Sequence, residues 1–209
     1  MQFTKYAHSC LRVEHDGGVL VIDPGVFSDP AALDGADAVL ITHEHPDHVN
    51  VEAVTRQLDR RPFAIHGPAS LAGTLADAAE ALTPVEPGQT FAPAGVPVRA
   101  YGGRHAVIHP DIPVVDNLAF LVNDVIYHPG DSLVVPDDVQ VDTLFAPIHA
   151  PWSKFSEVVD FIRAVAPRRV FAAHDALLND NGYAVLDRQY AALSNCDYQR
   201  LEPGTRLDA

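Results

Sequence analysis

Short runs in which apolar residues alternate with polar ones recur along the chain, separated by stretches with helical spacing. Leu11-Arg12-Val13-Glu14 and Val19-Leu20-Val21-Ile22 flank the turn residues Asp16-Gly17-Gly18, which predicts a β-hairpin. Val39-Leu40-Ile41-Thr42 reads as a buried strand. Asn50 is placed to cap a helix with Val51, Val54 and Leu58 on its apolar face. Pro68 suits the first turn of a second helix, with Leu71, Leu75 and Leu82 on one side. A third helix carries Phe155, Val158, Val159, Ile162 and Val165, and is predicted to stop at Pro167.

The two parts of the chain echo each other in order. Val21-Ile22-Asp23-Pro24-Gly25 is matched by Val125-Ile126-Tyr127-His128-Pro129-Gly130, Leu40-Ile41-Thr42-His43 by Ala146-Pro147-Ile148-His149, Phe63-Ala64-Ile65-His66 by Phe171-Ala172-Ala173-His174, and Glu86-Pro87-Gly88 by Glu202-Pro203-Gly204. This predicts two equivalent β/α halves, about 1–105 and 106–209, packed sheet on sheet with helices outside. At 209 residues, and with no low-complexity linker, the expectation is one α/β domain.

Composition narrows the function. The chain is 47% apolar and 20% charged, as expected of a globular protein with a core. Its 14 Lys+Arg against 28 Asp+Glu give a formal charge of −14, which argues against a nucleic-acid or anionic-membrane partner. Cys10 and Cys196 lie far apart and form no C-x-x-C pair, so two unpaired thiols in a reducing cytosol are expected. The N-terminus has no basic segment leading into an apolar one, and no apolar stretch approaches the roughly 20 residues that cross a bilayer. A soluble cytoplasmic protein is therefore predicted. The eleven histidines are the excess that calls for an explanation.

Part of it lies in Thr42-His43-Glu44-His45-Pro46-Asp47-His48, which follows the predicted buried strand and precedes the capped helix. A strand-to-helix loop projects its side chains to one place at the end of a sheet, where ligand sites form. Three imidazoles and the Asp47 carboxylate so placed are metal-ligand chemistry.

His43-x-His45-x-Asp47-His48 resembles the signature of the metallo-β-lactamase superfamily. That resemblance implies a four-layer αβ/βα sandwich of two mixed β-sheets with helices outside, and a dinuclear metal site. It also implies later ligands in order: His105 in Gly102-Gly103-Arg104-His105, Asp131 in His128-Pro129-Gly130-Asp131, and His174 after Val170-Phe171-Ala172-Ala173. On this reading His43, His45 and His105 surround one metal, Asp47, His48 and His174 the second, and Asp131 bridges them. The cofactors are then two divalent ions, zinc first, with manganese or iron as alternatives. A hydroxide bridging the pair would be the nucleophile, with Asp47 orienting it and passing its proton to the leaving group. Asp23, ending its strand, is a candidate to accept from a ligand imidazole or simply a turn residue before Pro24.

Ala7-His8-Ser9, Ile22-Asp23-Pro24 and His128-Pro129-Gly130-Asp131-Ser132 resemble the ascorbate-phosphate-lactonase-like branch of that superfamily, with Ala7 where the branch has glycine. His8, Arg104, Trp152 and Lys154 are candidate substrate-lining residues, Trp152 for stacking and the two cations for a phosphate or carboxylate; each also has a plain packing or solvated reading. His15 is expected at the surface. His66 and His149 fall at repeat positions that the family leaves without metal, and whether His109, His128 or His149 reaches the cleft is left open. The function expected is metal-dependent hydrolysis of a small ester, lactone or phosphoester, with an anionic substrate compatible with the cationic cleft. A di-iron redox or oxygen-binding protein of the same fold, or a metal-binding protein without turnover, is the alternative. Oligomeric state is not legible.

Overall fold

In the computed structural model, which describes residues 1–209, the chain opens with three antiparallel strands, β1 (Gln2–Lys5), β2 (Leu11–His15) and β3 (Gly18–Ile22). The last two form the predicted hairpin around Asp16-Gly17. Three parallel additions follow: β4 (Ala38–Leu40), then α1 (Val51–Arg60) leading to β5 (Ala64–Gly67), then α2 (Leu71–Thr74) and the helical turn Ala76–Ala81 leading to β6 (Leu82–Pro84). The second sheet repeats the order. After the short β7 (Thr90–Phe91) come the antiparallel β8 (Val98–Gly102), β9 (Leu118–Val122) and β10 (Ile126–His128). The parallel run is β11 (Thr143–Pro147), α3 (Phe155–Val165), β12 (Arg169–Ala173), α4 (Asp180–Leu193) and β13 (Asp197–Gln199). The final strand, β14 (Thr205–Asp208), returns to pair with β1.

The result is two mixed seven-stranded sheets, β14-β1-β2-β3-β4-β5-β6 and β13-β12-β11-β10-β9-β8-β7. The strands that match in the two sheets are those of the sequence echo, but residues 1–105 give β7 and β8 to the second sheet and residues 106–209 give β14 to the first. The sheets part between Pro84 and Thr90, so residues 90–102 belong with the second sheet and not with the residues 1–84 that precede them.

Period-two alternation explains the layering. In β3, Leu20 and Ile22 face the other sheet while Val21 faces the helices; in β9, Phe120 and Val122 point inward and Leu121 outward. A central apolar layer, including Phe3, Phe120, Phe145 and Phe171, thus lies between the sheets. Val54 of α1 joins Val39 and Ile65 in one outer core layer, and Val158 and Ile162 of α3 join Leu144 and Val170 in the other. The Asn50 side chain accepts from the Ala53 amide, as predicted, and α3 stops at the left-handed Ala166 ahead of Pro167.

Two expectations are corrected. The helix predicted from Pro68 breaks after Thr74, and Leu82 lies in β6, opposite Ile65. Gly73 weakens a helix there by about 1 kcal/mol, and pairing with β5 decides the conformation. The strand predicted over 39–42 loses its end because the Thr42 amide donates to the Asp23 carboxylate instead of a neighbouring strand.

Gly25 brings two segments of the site together. A Cβ added there would lie 1.7 Å from the Asp47 carbonyl oxygen, so the turn after β3 abuts the Asp47–His48 peptide. Gly25→Ala is expected to cost about 3 kcal/mol, because the clash is with backbone that cannot rotate away. A lowered urea midpoint with unchanged slope would register it; a midpoint equal to that of the natural chain would refute the tight approach.

Candidate metal centre

Chemistry-bearing residues gather at one edge of the sandwich, on the segments that follow β1 (His8), β3 (Asp23), β4 (His43 to His48), β8 (His105), β10 (Asp131) and β12 (His174). Three of them, His8, Asp23 and His174, adopt left-handed backbone with φ of 60°, 47° and 55°. Such conformations cost a non-glycine residue roughly 1–3 kcal/mol each and cluster at functional sites. Gly130 (φ 59°) precedes Asp131 at a place where a Cβ would come within 2.5 Å of Asn117 Oδ1.

Two sets of possible ligands result: His43, His45, His105 and Asp131, and His8, Asp47, His48 and His174. Asp131 lies between them. Its Oδ2 is 3.3 Å from His105 Nε2 and 3.1 Å from His174 Nε2, and its Oδ1 is 3.1 Å from His48 Nε2. Asp47 Oδ2 lies 3.4 Å from His174 Nε2 and 4.0 Å from His48 Nε2. His43 Nε2 and His45 Nδ1 stand 3.1 Å apart.

The outer nitrogens of four imidazoles are each committed to an oxygen. His48 Nδ1 donates to Asp23 Oδ2 (2.7 Å), His105 Nδ1 to the Ala106 carbonyl (2.5 Å) and His174 Nδ1 to the His149 carbonyl (2.7 Å). Thr42 Oγ1 donates to Asp23 Oδ2 (2.7 Å), which leaves its oxygen free to accept from His43 Nδ1 at 3.0 Å. With Nδ1 so committed, Nε2 is the nitrogen each ring aims inward, the one that a cation would take.

The electrostatics follow from this crowding. Burial alone would raise the two acids, but His48 and His174 pull the Asp131 carboxyl well below its usual range, and hydrogen bonds from His174 and His8 do the same for Asp47. Burial opposes charge on His174, yet Asp131 and Asp47 overcome it and raise that imidazole to about 9. His48 is likewise raised against burial by Asp131 and Asp23. His43 is lowered by burial and by the neighbouring His48.

The donor set fits divalent cations. Buried His48 Nε2, His105 Nε2 and Asp131 Oδ1 have no hydrogen-bond partner, although buried polar atoms are otherwise almost always paired. Imidazoles oriented by outer oxygens, with carboxylates between, are what such ions require.

Of the other predicted residues, Asp23 is fully buried and reaches both Thr42 and His48. Trp152 stands at the site, half-buried, with its indole N–H donating to Asp131 Oδ2 (2.8 Å) and its ring steeply inclined to those of His105 and His174, so it holds the acid. Arg104 and Lys154 are exposed beside His105 and Trp152, without a carboxylate partner. His128 is buried beneath the site, its Nε2 on the Ser9 carbonyl; His149 contributes only its carbonyl; His109 is exposed beside Asp111 and lies outside both clusters. His66 packs half-buried on Phe91, and His15 ends β2 partly buried.

Three contributors had no assignment from sequence. Asn117 accepts from the Asp131 amide and donates to the Pro129 carbonyl, fixing the Gly130 turn. Thr42 links Asp23 to His43. Buried Lys5 donates to the Tyr6 and His8 carbonyls and lies 3.5 Å from Asp175, the residue after His174. A lysine at an inward position of an alternating strand was the available signal for the last.

Residues 2–174 match the family described as beta-lactamase superfamily domain. Protein Rv0786c of Mycobacterium tuberculosis is 40% identical over 208 residues, 96% of each chain. A UPF0173 metal-dependent hydrolase of Flavobacterium johnsoniae is 38% identical over 63 residues, 27% of this chain and 28% of its own. Among solved structures, the metallo hydrolase Igni18 of Ignicoccus hospitalis superposes with a TM-score of 0.77 at 17% identity, covering 99% of this chain and 97% of its own, a likeness of fold. No helix is long and apolar enough to cross a membrane.

Proposed function

The chain belongs to the metallo-β-lactamase superfamily and is a metal-dependent hydrolase of it; from that premise we propose that it cleaves a small ester, lactone or phosphoester with the help of two divalent cations. His43, His45 and His105 would hold one cation and His48, His174 and Asp47 the other, with Asp131 shared. When bound, such a pair acidifies water between its members and polarises the oxygen of the group under attack. The observation that carries this reading is the common inward aim of the Nε2 atoms of His43, His48, His105 and His174, each set by an oxygen on Nδ1.

The protein's own groups supply the rest. Asp47, 24% exposed while Asp131 is 3%, is the site carboxylate open to solvent and to substrate, so it orients the attacking water and hands a proton to the leaving group. Trp152 keeps one Asp131 oxygen fixed. Arg104 and Lys154 stand free to meet a phosphate or carboxylate of the substrate, which suits the ascorbate-phosphate-lactonase-like branch.

Metal analysis combined with a panel of lactones, phosphodiesters and thioesters tests the proposal. About two equivalents of zinc or manganese with turnover of a panel member supports it. Iron with reversible optical changes under oxygen would move the assignment to the di-iron redox class, and unchanged metal content in His43→Ala would overturn the ligand set. Cation uptake should also displace protons, since the metal-free site keeps His48 and His174 charged at neutral pH. We expect about two protons released from imidazole per chain near pH 7.5, and affinity falling as pH falls. Calorimetry in buffers of different ionisation heat measures this; a heat independent of buffer would contradict it.

A further inference from the structure

His8 sits within the second set of possible ligands, its ring 4.0 Å from that of His174 between centroids, and by proximity alone it would be a fourth ligand beside Asp47, His48 and His174. Its hydrogen bonds run the other way round. In His48, His105 and His174 the Nδ1 proton goes outward to an oxygen, which leaves Nε2 as the nitrogen for a cation. In His8, Nδ1 accepts the Ala176 backbone N–H (3.3 Å), so the ring proton resides on Nε2, which faces Asp47 Oδ2 at 3.2 Å. To ligate through Nε2 while Nδ1 is so engaged, the ring would have to give up its one N–H proton and become an anion.

We infer that His8 is a positioning residue that donates Nε2–H to Asp47 and sets the orientation of that carboxylate, and that it is not a metal ligand. The role rests on the proposed part of Asp47 in the reaction. The turn that carries His8 is built to hold this geometry. Lys5 Nζ clamps the His8 carbonyl at 2.7 Å, His128 Nε2 holds the Ser9 carbonyl at 2.8 Å, and the His8 backbone stays left-handed at φ 60°. Asp47 needs such a holder. Its Oδ2 also faces His174 and His48, so a carboxylate free to rotate would turn both oxygens toward the imidazoles and away from solvent. The His8 N–H pins Oδ2 in one orientation.

The test uses the full chain loaded with zinc, comparing His8→Ala and His8→Gln with Asp47→Ala. Both His8 variants should bind as much zinc as the natural chain. His8→Ala should lose roughly 10- to 100-fold in kcat with little change in KM on the panel substrate that the natural chain turns over, while His8→Gln, whose amide N–H reaches toward Asp47, should recover most of it. In the Asp47→Ala background, His8→Ala should cost nothing further. Loss of one zinc equivalent in both His8 variants would make His8 a ligand and overturn the inference. So would long-range proton–nitrogen NMR spectra of the zinc-loaded chain showing His8 Nε2 without a proton. Both readouts work even if no panel member is turned over, an outcome that would count against the hydrolytic reading alone; folding of each variant is checked by its urea midpoint.

Discussion

With Asp131 changed to asparagine, the chain is expected to retain no more than about one divalent cation and to lose hydrolytic rate on the order of 10³-fold. The size follows from position. Both Asp131 oxygens lie within 3.3 Å of imidazole Nε2 atoms belonging to the two different sets, and the carboxylate is the buried anion that offsets charge on His48 and His174. Asparagine keeps the volume, and its carbonyl can still accept from Trp152. It removes one negative charge and turns an NH₂ toward imidazole nitrogens that a cation would take. Metal quantification with steady-state kinetics checks this. Two retained equivalents and a rate within tenfold would show that Asp131 is not shared, and the two-cation reading would fall with it.

Asp47→Ala is expected to reduce kcat by about 10²- to 10⁴-fold, the range for removing a general acid–base group. The loss should depend on the leaving group, and this separates proton transfer from mere ligation. An alkoxide must be protonated as it departs, whereas p-nitrophenolate leaves readily as the anion, so the p-nitrophenyl ester should be much less affected. Equal losses for the two esters would restrict Asp47 to holding metal.

Much of this centre could be read in the chain because its densest part is local. His43, His45, Asp47 and His48 sit on one loop, after a strand whose apolar run is plain and before a helix whose Asn50 cap is plain. His105, Asp131 and His174 followed only through the resemblance, since nothing in their own surroundings distinguishes them from His66 or His149. What escaped was everything fixed by distant partners. The hydrogen bond from Trp152 to Asp131 and those tying Asn117 to the Gly130 turn exist only when segments meet in the fold, as does the amide of Ala176 that determines where His8 carries its proton. Leu82 was misplaced for a similar reason: its helical spacing to Leu75 is local, but its pairing with Ile65 is not.

The closing of β14 on β1 bears on the order in which the protein can be made. Gln2 pairs with Asp208, and the Ala209 amide reaches the Met1 carbonyl at 3.1 Å, so the sheet that leads into the His43–His48 loop has an open edge until residues 205–208 arrive. During synthesis β1 leaves the ribosome long before β14, its partner at residues 205–208. Through that whole interval Phe3, which the finished protein buries completely between its sheets, has no closed layer to enter. A nascent chain stalled short of residue 205 would therefore expose the apolar face of its first strand to chaperones, and the metal site would be assembled on a sheet still waiting for its edge.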